Sequence, residues 1–264
     1  MKLIITITKI TFSEYLAYRM NFILWRFRNF LYLFFYYNFW TAVYTYQKQV
    51  GNYNKQEIFF YFIMSFVITD IVFSSKLFKL ASYINSGVLN QYLLYPVSVF
   101  KLMTVEEVVD KTFNTFFSLI EILLFIYLFK IEVFLKIDFY YIAVFILSLF
   151  CALVLYYFIS LCISLLGFWT NSVWAPRFLT FILINSLSGS FFPLDILPKS
   201  VFELINALPF SVLVYLPIQI LQGKVSLDFA LVKISIAFVW VILFFFLSLF
   251  MWKKGLKSYT ALGV

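Results

Sequence analysis

Residues 139–168 read FYYIAVFILSLFCALVLYYFISLCISLLGF, thirty consecutive positions without a charged side chain. A helix needs about 20 predominantly apolar residues to cross the hydrocarbon core of a bilayer. Cys151 and Cys162, the only cysteines in the chain, both lie in this run. We interpret them as small buried hydrophobic residues, because two cysteines in one apolar segment indicate neither a disulfide framework nor a metal site. The segment therefore predicts a membrane-spanning helix.

The composition of the whole chain agrees with a membrane protein. Of its 264 residues, 64% are hydrophobic and 23% aromatic, and only 12% are charged. Soluble domains carry about 25% charged residues and cannot hide this much apolar surface from water. We therefore predict an all-α integral membrane protein that forms one transmembrane domain over residues 1–264.

The lengths of the apolar segments predict six transmembrane helices. They cover residues 22–46, 58–75, 112–130, 139–168, 176–192 and 229–252. Residues 204–221 are apolar enough for a seventh crossing, but Pro209 and Pro217 interrupt them. A proline inside a helix costs about 3 kcal/mol. We therefore expect residues 193–224 to form a re-entrant segment of short broken helices that dips into the outer leaflet between helices 5 and 6.

The distribution of basic residues predicts the orientation. The net charge is +8, but no run of five basic residues indicates a nucleic-acid partner. With six spans, thirteen basic residues lie on one side: Lys2, Lys9, Arg19, Arg26, Arg28, Lys76, Lys79, Lys101, Lys111, Arg177, Lys253, Lys254 and Lys257. The other side has seven: Lys48, Lys55, Lys130, Lys136, Lys199, Lys224 and Lys233. Because cytoplasmic loops are rich in lysine and arginine, we expect both termini and the loop 76–111 in the cytoplasm.

The amino-terminal stretch MKLIITITKITFSEY has the spacing of an amphipathic helix. Polar side chains recur at intervals that place them on one helical face: Lys2, Thr6, Lys9 and Ser13. Leu3, Ile7 and Ile10 would form a neighbouring apolar stripe. We predict an amphipathic helix on the membrane surface. Its β-branched content leaves an extended segment as the alternative.

Sequence motifs for catalysis are absent. The chain has no G-x-x-x-x-G-K-[ST] phosphate loop, no G-x-S-x-G nucleophile elbow and no histidine. We therefore expect neither an enzyme nor a cofactor site in this chain.

Two carboxylates lie within the predicted spans, Asp70 in the second and Glu121 in the third. A charged side chain at the bilayer centre costs about 2.5–3.5 kcal/mol on insertion scales, so it usually faces a partner or a functional path. One interpretation is a polar contact in a translocation path, or a proton site. The other is structural: Asp70 pairs with an arginine such as Arg26 or Arg177, and Glu121 is protonated or lies nearer the surface.

The small residues Ser188, Gly189 and Ser190 would allow helices to pack closely. One interpretation is a dimer contact or a flexible hinge, and the other is ordinary packing within the chain.

The acidic group Glu106, Glu107 and Asp110 precedes the third span. It would either bind a basic partner surface, or form a solvated face or pair with Lys111 and Lys101.

Three stretches resemble one protein family, the six-helix permease subunits of type-2 ATP-binding-cassette (ABC) exporters. Residues 16–40, LAYRMNFILWRFRNFLYLFFYYNFW, resemble the entry into its first span. Residues 86–98, SGVLNQYLLYPVS, resemble its loop pattern of a glycine, leucines and a proline. Residues 189–224, GSFFPLDILPKSVFELINALPFSVLVYLPIQILQGK, resemble the glycine- and proline-containing segment before its last span. The resemblance covers nearly the whole chain, and the order of the three stretches is more specific than any one of them.

The resemblance implies that the loop between spans two and three carries a short coupling helix that docks on a separate ATPase. The docking residues would be Gly87, Leu89, Tyr92, Leu93, Leu94 and Pro96. The family commonly has charged residues in this loop, where this chain has Asn90, Gln91 and Tyr95. The re-entrant segment would close the outer end of the pathway through Pro193, Pro198, Leu208, Pro209, Phe210 and Pro217.

The resemblance also implies the partners. They are an ABC ATPase that holds ATP and Mg²⁺, a second copy of this permease or a related one, and the lipid of a bacterial cytoplasmic membrane. Two alternatives stay open: a secondary carrier or substrate-capture subunit that uses the intramembrane carboxylates, and a membrane enzyme or assembly factor.

Overall fold

The computed structural model describes residues 2–131 and 138–259. These two ranges are helical apart from their connections and one isolated β-bridge between Val50 and Tyr53. The α-helices in them are α1 (Lys2–Ala17), α2 (Arg19–Tyr46), α3 (Lys55–Phe73), α4 (Phe78–Asn85), α5 (Leu89–Leu93), α6 (Val99–Phe129), α7 (Phe139–Leu165), α8 (Trp174–Ser188), α9 (Lys199–Ala207), α10 (Tyr215–Leu221) and α11 (Leu227–Ser258). The all-α class is confirmed.

Four helical segments in the described ranges are long and apolar enough to cross a membrane. They are Lys55–Asn85, Val99–Phe129, Phe139–Phe168 and Leu227–Ser258. The predicted first and fifth spans correspond to α2 and α8. Helix α2 has 28 residues but carries three arginines, and the 15 residues of α8 extend only about 22 Å. Six spans therefore remain a prediction.

Helices α2 and α6 run parallel in one constant register. Aromatic rings one or two turns apart on α2 meet rings offset by 95 residues on α6: Phe22 with Phe117 (4.8 Å between centroids), Phe30 with Phe125 (5.8 Å) and Phe34 with Phe129 (5.9 Å). Each such pair contributes about 0.5–1.5 kcal/mol beyond the burial of its area. The two helices therefore begin at the same end of the bundle.

Helices α7 and α11 form the second parallel pair. The thiol of Cys151 lies 4.0 Å from the carbonyl oxygen of Ile234, and that of Cys162 lies 3.7 Å from the carbonyl oxygen of Phe244. Near the end of α11, the Trp252 ring contacts Phe100 and Phe168. The end of α11, the end of α7 and the start of α6 therefore lie together. We call this the α4–α5 end of the bundle and the opposite one the α9–α10 end.

The third long helix begins earlier than the sequence predicted. Helix α6 starts at Val99, where the Ser98 side chain accepts a hydrogen bond from the Lys101 amide (3.3 Å). The prediction placed residues 99–111 in a loop because they contain several charges. The structure buries Glu107 and Asp110 against cationic partners, so the helix continues through this polar stretch. The connection between α3 and α6 is correspondingly shorter than 76–111.

Residues 193–224 contain short interrupted helices, as predicted. Pro209 opens a 3-10 turn, Pro209–Val212, and Pro217 is the third residue of α10. The first-turn amides of a helix have no intrahelical acceptor, so a proline there removes no hydrogen bond. Residues 204–221 therefore do not form one crossing helix. The depth of this segment in a membrane stays a prediction.

The amino terminus is helical, which excludes the extended alternative for Lys2–Ala17. Within this helix Ile7 and Thr11 are buried in the bundle, whereas Ile10 is 54% exposed. Contact of the apolar stripe with a membrane surface stays a prediction. The buried face lies against α6, where the Tyr15 ring contacts Phe113 with 5.6 Å between centroids. A tertiary contact, rather than the apolar stripe alone, decides the rotation of α1.

The small residues that end α8 pack within the chain. Ser188 and Ser190 are buried. Gly189 has φ +83°, and a Cβ atom there would lie 2.8 Å from Tyr61 Oη and 2.9 Å from Tyr215 Cβ. The Tyr61 hydroxyl also donates to the Gly189 carbonyl oxygen (2.6 Å). In this structure the three residues serve intrachain packing.

We expect Gly189→Ala to lower the thermal unfolding temperature more than Gly223→Ala. Gly223 also has positive φ (+65°), but its added Cβ would meet no atom within 4 Å. The control variant therefore carries only the backbone cost, about 1–2 kcal/mol, whereas Gly189→Ala adds a steric clash. Unfolding in mild detergent, followed by intrinsic fluorescence, measures both. Equal losses would contradict the packing assigned to Gly189.

Candidate functional site

Polar side chains recur along one face of α6. They are Glu107, Asp110, Lys111, Asn114 and Glu121, each three, four or seven residues from another member of the group. This spacing places side chains on the same side of a helix. Their partners come from α1, α2, α3 and the α3–α4 junction. The face forms a continuous polar seam inside the helical bundle.

Arg26 of α2 is the centre of the inner part of this seam. Its Nη1 atom lies 3.4 Å from Asp70 Oδ2 on α3 and 3.4 Å from Glu121 Oε2 on α6. Its Nη2 atom donates to Asn114 Oδ1 (2.7 Å). All three charged side chains are nearly buried. One guanidinium therefore links three helices.

This arrangement supports the structural interpretation of Asp70, because Arg26, one of the two arginines predicted for it, pairs with it. Glu121 shares the same guanidinium, a partner that the sequence analysis did not predict. The rings of Phe22 and Phe117 lie 5.4 and 5.7 Å from the guanidinium carbon and exclude water from it. The sequence did not predict that one arginine would serve both carboxylates.

A second charged group lies at the α4–α5 end. Lys76 Nζ is 3.1 Å from Glu14 Oε2 and 3.2 Å from Asp110 Oδ1. Lys79 adds a pair with Glu14 at 3.5 Å. Burial by itself raises the pKa of Glu14, but hydrogen bonds and positive charge from Lys76 and Lys79 outweigh it and lower the pKa. Glu14 therefore stays ionised near neutral pH and attaches α1 to the start of α4.

Two residues of α6 bind the junction between α3 and α4. Lys111 Nζ donates to the carbonyl oxygens of Ile71 (3.0 Å), Val72 (2.9 Å) and Ser74. Carbonyl groups at the carboxyl end of a helix lack intrahelical partners. The positive charge of a lysine there also interacts favourably with the negative end of the helix dipole. Glu107 Oε2 accepts from the Lys76 amide at 2.8 Å. Glu107 is also paired with Lys111, as one interpretation predicted, whereas Asp110 pairs with Lys76, which the sequence analysis did not name. Neither side chain forms a solvated face.

Asn114 joins the two groups. Its Oδ1 atom accepts from Arg26, and its Nδ2 atom donates to Asp110 Oδ2 (2.9 Å). A continuous path of polar contacts therefore leads from Glu14 at the α4–α5 end to Asp70 in the bundle. Sequence reasoning missed Asn114 and Lys76. The three- and four-residue spacing was visible, but a boundary placed between residues 111 and 112 divided it.

The predicted docking residues lie just before, in and just after α5, and they differ in burial. Leu89 is fully buried, and Gly87 has φ +77°, a conformation that glycine adopts readily. Leu93, Leu94 and Pro96 are exposed, Leu94 to 86%.

Tyr92 is half-buried, and its ring stacks on Tyr83 of α4 with 4.8 Å between centroids. The buried residues hold the turn in place. The exposed apolar tip at residues 93–96 is available to a partner.

Helix α4 also contacts α7 and the 3-10 turn, Leu166–Phe168, that follows it. A Cβ atom on Gly167 would lie 3.2 Å from the Cα and carbonyl oxygen of Ala81. Leu77, Leu80 and Leu89 share a buried cluster with Leu161 and Leu165 of α7. The α4–α5 unit is therefore attached to α6 by charged side chains and to α7 by apolar packing.

The α9–α10 end is closed around Tyr53. The Tyr53 hydroxyl donates to Asp195 Oδ1 (2.8 Å) and accepts from Gln219 of α10. Lys224 Nζ lies 3.6 Å from the centre of its ring and pairs with Glu57 at 3.2 Å. Sequence reasoning did not identify Tyr53, Asp195 or Gln219.

The predicted gate residues all lie at the α9–α10 end. Pro193, Pro209 and Pro217 are buried, Leu208 and Phe210 are half-buried, and Pro198 is exposed. Within the described ranges, no group of three or more histidine, cysteine, aspartate or glutamate residues could hold a metal ion.

Comparison with known protein families identifies the family of this chain. The family model for ABC-2 family transporter proteins matches residues 30–263. The chain belongs to this family. No significant match is found among curated proteins or among solved structures.

Family membership confirms the resemblance inferred from the sequence. The ABC-2 chain is a permease of an ABC transporter and a multi-pass membrane protein. Such a permease is a transport component whose ATPase is a separate subunit. The family does not by itself identify which residues of this permease do which task.

We expect Arg26→Met to destabilise the permease strongly. Removing one partner of a buried ion pair costs about 3–5 kcal/mol, because the remaining charge is left buried. The triple variant Arg26→Met, Asp70→Asn, Glu121→Gln removes the uncompensated charges and should recover most of the loss. Thermal unfolding in detergent measures the series.

Lys199→Gln is the matched control for this series. Lys199 pairs with Glu203 at 3.9 Å on the exposed surface of α9, and exposed pairs contribute little to stability. The role assigned to Arg26 is wrong if its loss is as small as that of Lys199, or if the triple variant is no more stable than Arg26→Met.

Proposed function

We propose that this chain is the permease subunit of an ATP-driven exporter, in which two permeases form the pathway and two separate ABC ATPases drive it. Family membership supports an ABC ATPase partner and a dimer of permeases. The sequence supports a separate ATPase because it contains no phosphate-binding loop. The second permease is either a copy of this chain or a related one.

In this proposal the chain has six spans, with α2 and α8 as the first and fifth. Both termini and the α4–α5 end lie in the cytoplasm, and the α9–α10 end lies in the outer leaflet. The excess of basic residues toward the α4–α5 end supports this orientation. Arg26 of α2 does not argue against a span, since it is paired with Asp70 and Glu121. We propose a bacterial cytoplasmic membrane as the location.

The observation that carries the proposal is the polar seam from the α4–α5 end to Arg26. An ATPase that moves the tip at residues 93–96 would displace α4, whose start is bonded to Glu107 and whose preceding helix end is bonded to Lys111. Both residues belong to α6, which shares Arg26 and the aromatic register with α2. Movement at the loop would therefore be passed to α2, α3 and α6 as one unit.

The α9–α10 end would act as the outer gate. Helix α10 is almost completely buried, and its Gln219 is bonded to Tyr53 in the connection between α2 and α3. Displacement of α2 and α3 at one end would therefore act on the gate at the other. Hydrogen bonds that can be exchanged for water, rather than a disulfide, hold this contact.

The pairing of Arg26 with Asp70 and Glu121 weakens the secondary-carrier alternative. A coupling carboxylate must exchange its proton or ion with a path, whereas Asp70 and Glu121 share one buried guanidinium. A carrier would need neither an ATPase nor an exposed docking tip.

The first test is recovery of the tagged chain from its native membranes in mild detergent, with mass spectrometry and an ATPase assay. We expect an ABC ATPase at about one copy per permease. Recovery of the chain alone, without ATPase activity, would contradict the proposal. Loss of transport on neutralising Glu121, with no ATPase required, would instead support a carrier.

We expect Leu94→Asp to abolish recovery of the ATPase without lowering the amount of folded permease. Leu94 is 86% exposed at the proposed docking tip, so a charge there disturbs an apolar contact and not the core. Leu204→Asp is the matched control, because Leu204 is a 69% exposed leucine at the α9–α10 end. The docking assignment fails if Leu94→Asp recovers as much ATPase as Leu204→Asp.

A further inference from the structure

An open cleft lies between α2, α3 and α8, and its larger part is also lined by residues of α6 and α7. Its part nearer the α4–α5 end has a volume of about 530 Å³ and its inner part about 390 Å³. The two parts share Trp25, Arg28, Phe73, Ser74 and Phe181. Ligand sites in proteins usually have volumes of about 300–1,000 Å³, so each part could take a substantial portion of an organic molecule.

Two arginines line the cleft without a carboxylate partner among the described residues. Arg28 donates to Asn29 Oδ1 (3.2 Å) and lies over the Trp25 ring at 4.2 Å. Arg177 of α8 lies over the Phe78 ring at 3.9 Å. Neither guanidinium lies within 4.0 Å of an acidic oxygen there. Their faces are stacked, and their N–H groups remain available to an anion.

Arg26 and Arg28 lie on the same helix but differ in whether a carboxylate among the described residues pairs with them. The two residues lie within one turn of α2 and therefore at nearly the same depth. Arg26 faces inward to two carboxylates, whereas Arg28 faces the cleft. An unpaired charge within a membrane segment usually marks a ligand path.

The carboxylates that border the cleft offset these arginines only in part. Asp110 is paired with Lys76 at 3.2 Å and accepts a hydrogen bond from Tyr15. Asp70 shares Arg26 with Glu121, so these three groups carry one negative charge when both carboxylates are ionised. Arg28 and Arg177 together carry two positive charges, so the net charge beside the cleft is positive.

The remaining walls are largely apolar. Phe62, Phe66 and Phe73 come from α3, and Phe178 and Phe181 come from α8. Arg177 lies at the start of α8 and Arg28 deeper on α2, so the positive charges lie beside an aromatic wall that continues to Phe191 at the far end of the cleft. A ligand that fits both features has an anionic head and an apolar body.

We propose that this cleft binds an anionic amphiphile, with its phosphate-type headgroup between Arg28 and Arg177 and its hydrocarbon tail along the phenylalanine wall. A guanidinium matches the geometry of phosphate oxygens and also stacks on aromatic rings. That the bound amphiphile is the exporter's cargo rests on the proposed function. Binding itself does not need the ATPase.

The test uses the purified full-length chain in phosphatidylcholine nanodiscs. Phosphatidylglycerol with brominated acyl chains is the probe, and brominated phosphatidylcholine with the same chains is the zwitterionic control. Bromine quenches nearby tryptophan, and Trp25 and Trp174 both line the cleft. We expect phosphatidylglycerol to quench at a lower mole fraction than phosphatidylcholine.

The double variant Arg28→Gln, Arg177→Gln should weaken this preference about tenfold or more, the effect of losing about 1.4 kcal/mol of charge-assisted bonding. The variant Arg28→Lys, Arg177→Lys keeps the charges and should retain a preference for the anionic lipid. Lys253→Gln removes an exposed cation of α11 outside the cleft and should change nothing.

Several outcomes would overturn the proposal. Equal quenching by the two lipids, or an unchanged preference in the double glutamine variant, would show that the arginines do not select the headgroup. Competition by inorganic phosphate alone would show a site for a free anion instead of an amphiphile. Absence of quenching would show that another occupant, such as a second permease, covers the cleft. The double glutamine variant should still recover the ATPase. A failure of the lipid-binding proposal can therefore be told apart from a failure of the proposed function, in which no ATPase would be recovered.

Discussion

The structure depends on the Arg26 guanidinium, which three helices share. A buried charge is unfavourable unless it is paired, and here Asp70 of α3 and Glu121 of α6 both pair with the arginine of α2. The same pairing sets the rotation of α2, so that Phe22, Phe30 and Phe34 meet their partners on α6. With α2 and α6 held in this register, Asn114 and Asp110 are placed to extend the seam to Lys76.

The two ends of the bundle are held by different interactions. At the α4–α5 end, charged side chains of α6 bond to the junction between α3 and α4, and these contacts can be rearranged when a partner binds. At the α9–α10 end, α10 is buried among apolar residues of α3, α7 and α11 and attached through the Tyr53 hydroxyl. A bundle with one charged end and one densely packed end is suited to receive a movement at the first and to close a path at the second.

Much of the fold was predictable because a membrane imposes strong rules on sequence. The apolar run 139–168 predicted a long helix that the structure contains as α7 and its following 3-10 turn, and the prolines predicted the short helices of residues 193–224. The start of α6 was missed for a physical reason. Charge content indicated a loop, but Glu107 pairs with Lys111 along α6 and Asp110 pairs with the tertiary partner Lys76, and a paired charge does not end a helix. The burial of Leu89 was missed similarly, because its partners on α7 are distant in sequence.

By itself, the sequence determined that this is a helical membrane protein, that it lacks a nucleotide-binding motif and that it belongs with the ABC-2 permeases, since length, hydropathy and motif order are local properties. Only the tertiary structure decided which charges are neutralised. Arg26 and Arg28 are two residues apart and chemically identical, yet one is bonded to Asp70 and Glu121 and the other faces an open cleft. The difference depends on the rotation of α2 against helices whose contact residues are 44 and 95 positions away. No local pattern in a single sequence contains that rotation, because it is set by the simultaneous packing of all three helices.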